Sequence, residues 1–176
     1  MDSSFFGYIQ QLELMAFFWG YPLVYALVVM VAGTKEKQGN YKNRFVSLLP
    51  LGYALAGTLY LALQLKNFYP DYSIEHLRLS FEKPALTGWG LLSILFWIPA
   101  LRKRKVLSLL HSLVFFFFLL KDLLLSLFGA TTGNSSTIAN DMGIYTNSLL
   151  LHIACFGLIS LLSFLLKLYK RRHLRR

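Results

Sequence analysis

The chain has 176 residues, 56% of them hydrophobic, with a mean hydropathy of +0.51 and a formal net charge of +10. Its apolar residues gather in blocks of about twenty, the length a helix needs to cross roughly 30 Å of hydrocarbon, and they leave no room for a sizeable soluble domain. The basic residues lie at block ends, as membrane topology requires, so nucleic acid is not an expected partner. The one cysteine, Cys155, excludes an intramolecular disulfide, a cysteine-rich metal site and a two-cysteine redox motif.

The first expected span is 12–32. It is too long for a signal-peptide core and is read as retained. Pro22 lies near its middle and predicts a kink. A polar loop, Thr34 to Arg44, carries Lys35, Lys37, Lys42 and Arg44 against the single acid Glu36. The second span is 45–65. Gly52 and Ala56 form a small-xxx-small pair that lets a neighbouring helix approach. Tyr53, Gly57, Tyr60 and Gln64 share a second face by their 4-3-4 spacing.

From Lys66 to Lys83 the chain is too polar to span. Asn67, Pro70 and Asp71 suit a turn, and Ser73 can cap a short amphipathic helix to Phe81 lying on the membrane surface. The third span, 84–101, is the shortest, with Trp89 and Trp97 towards its two ends and the run Arg102-Lys103-Arg104-Lys105 closing it. The fourth span is 106–129. A loop rich in Thr, Ser, Gly and Asn, Ala130 to Thr146, leads to the fifth, 147–166, and to a basic tail, 167–176, that contains Lys170, Arg171 and Arg172. Asn134-Ser135-Ser136 matches a glycosylation acceptor. The expected fold is therefore one all-α integral membrane domain of about five transmembrane helices with one short interfacial helix.

With five spans, the 34–44 loop, the Arg102–Lys105 run and the tail fall on one side with fourteen basic residues; the other side has three, Lys66, Arg78 and Lys83. The positive-inside bias then puts the N-terminus outside and the C-terminus in the cytoplasm. The expected location is a bacterial cytoplasmic (inner) membrane, a eukaryotic membrane being the alternative. The bilayer is the first expected partner.

Ionisable groups in hydrocarbon cost at least about 2.5 kcal/mol each, so His111, Asp122 and His152 need reasons. On span four, Ser108, His111, Ser112, Asp122 and Ser126 fall within an arc of about 100°; on span five, Ser148, His152, Cys155 and Ser163 fall within about 80°. Such stripes face protein or water. Counted from span ends, His152 and Asp122 lie near the outer surface and can meet, whereas His111 lies nearer the cytoplasm, about 16 Å from Asp122 along the axis. The three are candidates for a proton path, against plain interhelical hydrogen bonds or contacts to a partner subunit.

No Gly-rich phosphate loop, HExxH or GxSxG is present, and no three metal ligands gather at one depth. No cofactor, metal or catalytic residue is expected. The leading expectation is an accessory or structural subunit of a larger membrane complex, bound to other membrane subunits or to itself. The rival is a small proton-coupled transporter or channel using Asp122, His152 and His111. A third reading is a lipid-binding or lipid-modifying protein.

Overall fold

The computed structural model describes residues 14–33, 39–67, 69, 84–129 and 135–173; side chains are described for 17–31, 45–66, 69, 85–117, 120, 124, 143, 145–170 and 172. The surface helix expected at Ser73–Phe81, the 34–38 part of the first basic loop and the side chains of Asp122, Asn134 and Arg171 lie outside the described residues.

The described residues are helical, with no strand among them. Helix α1 is Leu14–Gly33, α2 is Gly39–Asn67, α3 is Pro84–Leu91 and α4 is Pro99–Arg102; α5 is Lys105–Gly129 and α6 is Ser135–His173. A 3₁₀ segment, Leu92–Trp97, joins α3 to α4. Two helices contain stretches long and apolar enough to cross a membrane, Phe45–Lys66 in α2 and Tyr145–Lys170 in α6. Shorter apolar stretches are Phe17–Val31, Ala85–Trp97 and Lys105–Phe117.

The third apolar block is not one continuous α-helix. Proline disfavours helical backbone at the residue before it, and Ile98, ahead of Pro99, is extended at φ −69° and ψ 125°. Upstream the backbone tightens to 3₁₀, whose eclipsed i, i+3 side chains turn Ser93 and Phe96 inward together. Helix α6 begins at Ser135, well inside the segment expected to be a loop, and runs to His173, through most of the expected tail. No proline interrupts those residues, and a helix satisfies its own backbone groups in water as well as in hydrocarbon, so its ends need not coincide with the apolar block.

The contacts fix the direction of each rod. Along α2 the residues Tyr60, Gly57, Tyr53 and Thr58 meet Gly90, Ser93, Phe96 and Trp97 of the third segment, so the two run antiparallel. Helix α1 sets Phe18 beside Tyr60 and Tyr21 beside Tyr53, antiparallel to α2. Helix α5 opposes α1 through Tyr21 with Ser108 and Phe18 with Phe115. Helix α6 runs parallel to α1 and against α2, with Gly20 on Ser148 and Gly52 on Phe156. Helices α1 and α2 form the centre, and among the described residues α1 packs on both α5 and α6.

Small residues set the closest approaches. A Cβ on Gly20 would lie 2.6 Å from the Ser148 carbonyl oxygen and 2.7 Å from Leu149 Cα. One on Gly52 would lie 3.3 Å from Phe156 Cα, and one on Gly57 would collide with the Ser93 hydroxyl. Bundles in lipid gain little from the hydrophobic effect between helices, so close backbone approach and packing carry their association.

Candidate functional site

Pro22 and a ladder of aromatic residues shape the middle of the bundle. Pro22 has no N–H and crowds the Phe18 carbonyl one turn before it. At the adjoining position of the same turn, the Phe17 carbonyl accepts two bonds from α6: Ser148 Oγ donates at 3.2 Å and His152 Nε2–H at 3.1 Å. Ser148 Oγ in turn accepts from the Gly20 N–H at 3.0 Å. The close approach that Gly20 permits is therefore fastened by side chains reaching the α1 backbone. With Nε2 carrying the proton, His152 presents Nδ1 as an acceptor, and that buried atom has no partner among the described residues.

Helix α5 is tied to both central helices. Ser108 Oγ donates to the Lys105 carbonyl at 2.9 Å, so the Tyr21 hydroxyl is the donor in the 2.7 Å bond it makes with Ser108. The Tyr53 hydroxyl lies 2.7 Å from His111 Nδ1. Trp89 stacks on the His111 ring at 4.7 Å and 7°, and its Nε1–H donates to the His111 carbonyl at 3.1 Å. His111 Nε2 is buried and has no partner among the described residues.

Tyr53 is the hub of this arrangement. It is wholly buried. Its ring centroid lies 4.4 Å from Tyr21, 5.6 Å from His111 and 6.2 Å from His152, which is nearly parallel to it at 22°. Phe17, Phe18, Phe96 and Phe115 close the surroundings. Depths counted from the ends of the apolar blocks set the two histidines apart; the structure stands both rings against Tyr53. The count fails because α6 starts at Ser135 rather than Asn147, so the start of its apolar block does not mark a common plane.

Of the α5 stripe, Ser108 and Ser112 are buried and His111 is half-buried; of the α6 stripe, Ser148, His152 and Cys155 are buried. These side chains turn inward, onto α1 and α2 of the same chain. Asp122 and its expected contact with His152 lie outside the described residues. Gly52 and Ala56 are both buried, Gly52 against α6. Arg102, Lys103, Arg104 and Lys105 form the turn from α4 to α5, at the end of the bundle where α6 carries Lys170 and Arg172. Among the described residues no three His, Cys, Asp or Glu side chains gather as a metal site would require.

Sequence reasoning identified the Tyr53 face and both histidines but not their mutual hub, and it missed the Phe17 carbonyl, Gly20 and Trp89. The available signal was Pro22, whose missing N–H leaves the carbonyl of Phe18, next to Phe17, without its helical donor. Chemically, the cluster offers hydroxyl and imidazole groups held in fixed hydrogen bonds, with one unpaired nitrogen on each histidine. Compared with family models, with curated proteins and with solved structures, the chain matches none.

Proposed function

We propose that this chain is an integral membrane protein of five crossings, N-terminus outside and C-terminus in the cytoplasm, that serves as a non-catalytic accessory or structural subunit of a larger membrane assembly. In support of five crossings, α1 with 20 residues and α5 with 25 are about 30 and 37 Å long, enough for the hydrocarbon. Consecutive rods alternate in direction, which collects the Arg102–Lys105 turn and the basic end of α6 at one end of the bundle, in keeping with a positive-inside orientation.

One observation carries the subunit reading. Four side-chain hydrogen bonds of the buried cluster run between helices: Tyr21 to Ser108, Tyr53 to His111, and Ser148 and His152 to the Phe17 carbonyl. These groups hold helices in register. Outside them, α6 leaves a long apolar flank, with Leu158, Leu161, Leu162 and Leu165 each at least half exposed. A rigid bundle with an apolar outer flank suits a part that supports neighbours in the membrane.

The test is isolation of the tagged full chain from its native membrane in mild detergent, followed by sizing and identification of what accompanies it. A partner in stoichiometric amount is expected. A lone chain overturns the subunit reading and leaves the proton-coupled one, which the unpaired His111 Nε2 and His152 Nδ1 favour. Proton flux into vesicles, abolished by His152→Gln, would then be its signature.

A further inference from the structure

The basic end of the bundle contains a cleft. It has a volume of about 660 Å³, and it is bounded by the N-terminal half of α2, the turn from Trp97 to Lys105 and the C-terminal half of α6. This size lies within the range of about 300–1,000 Å³ typical of small-molecule sites. Its lining is apolar or basic apart from Ser47 and Ser163. Leu51, Ile159, Leu162 and Leu166 make an apolar wall, and Arg102, Lys103 and Lys105 stand at its rim. Among the described residues, no acid lines it.

We propose that this cleft is a binding site for an anionic phospholipid of the leaflet at the basic end. Arg102 and Lys103 are exposed and adjoin the cavity, where they meet a phosphodiester; the guanidinium can take two phosphate oxygens at once. An acyl chain then follows the apolar wall along α6, whose leucines are half exposed and open towards hydrocarbon. The pairing of cations at the helix ends with an apolar wall one or two turns deeper matches the amphiphile: charge at the surface, chain below it. A soluble anion would use the rim alone and leave the apolar wall empty. A basic pocket between membrane helices is a known type of anionic-headgroup site.

The inference rests on the membrane reading above, so the experiment separates the two. The full chain is first shown to stay in membranes through an alkaline carbonate wash; release there would overturn both. The protein, in neutral detergent, is then given phosphatidylglycerol, phosphatidylcholine or inorganic phosphate, and retained ligand is read by native mass spectrometry. Phosphatidylglycerol is expected to be retained over phosphatidylcholine and not displaced by phosphate. Arg102→Gln with Lys103→Gln should weaken its retention by about thirty-fold, the loss of two cation–headgroup attractions. Lys170→Gln with Arg172→Gln, the same charge removed outside the cleft, should change it by less than about twofold. Equal losses in the two double variants, displacement by inorganic phosphate, or no preference between the lipids would each overturn the site.

Discussion

The tyrosine–histidine hub and the basic cleft lie in one bundle and use polar groups in opposite ways. At the hub, hydroxyls and imidazoles are buried and aimed at one another: Tyr53 touches His111, and His152 reaches the α1 backbone. At the cleft, Arg102, Lys103 and Lys105 stand together with no acid among the described lining residues. A polar group buried away from water without a partner costs several kcal/mol, so the bonds the hub makes are what hold it, and His111 Nε2 and His152 Nδ1, without a partner among the described residues, bear that cost. Arg102 and Lys103 are exposed at a helix end, where they keep their hydration, bear no such penalty and can meet a ligand. The hub therefore bears on stability, and the cleft bears on binding.

The largest effect that would break this contrast belongs at the hub's closest approach. Gly20→Ala places a methyl 2.6 Å from the Ser148 carbonyl, against backbone that cannot yield as a flexible side chain would. Overpacking of this kind costs about 1–3 kcal/mol, which exceeds the roughly 1 kcal/mol that alanine gains over glycine in a helix. Gly157, on the outer part of α6, has nothing within 4 Å of a new Cβ. Gly157→Ala should therefore raise the thermal midpoint in detergent while Gly20→Ala lowers it. Two glycines with the same response would mean that α1 and α6 do not pack as described.

A smaller effect sharpens the role of the hub. Tyr53→Phe keeps the ring and removes only the hydroxyl; His111→Phe removes the other partner. Hydrogen bonds between membrane helices average about 0.6 kcal/mol and reach about 1.7. A double-mutant cycle on unfolding stability should return a coupling in that range. A coupling near zero would mean that the 2.7 Å contact contributes nothing to stability and would move the hub towards the proton-coupled reading.

The difference between the regions also decides how much could be read in the sequence. The apolar blocks and the inward-facing serines and histidines follow from residue type and the 3.6-residue period, because hydrocarbon punishes any other placement. Of the small pair, Gly52 meets α6 closely and Ala56 is buried. What the helix period cannot give is which helix a stripe faces. Ser108 and His111 bond to α1 and α2, and Ser148 and His152 bond to α1. The cleft was beyond reach for a related reason. Arg102 and Lys103 read as topology anchors from their position, and only folding brings Leu51 of α2 and Leu162 of α6 beside them.

The smallest predicted effect concerns the cleft cations themselves. Arg102→Gln with Lys103→Gln should leave stability in neutral detergent within about 0.5 kcal/mol, since exposed substitutions away from packed features seldom do more. Removing like charges that stand side by side relieves a repulsion, so any shift should be slightly stabilising. The same variant should respond differently once phosphatidylglycerol is added. A ligand that binds only the folded state raises stability with its concentration, so the unmodified protein should gain in thermal midpoint and the variant should not. Charges that only anchor topology give no reason for a gain specific to an anionic lipid and dependent on Arg102 and Lys103. If the variant instead unfolds at lower temperature without any lipid, the cations hold the turn together, and the division between a structural hub and a binding cleft fails at its weaker side.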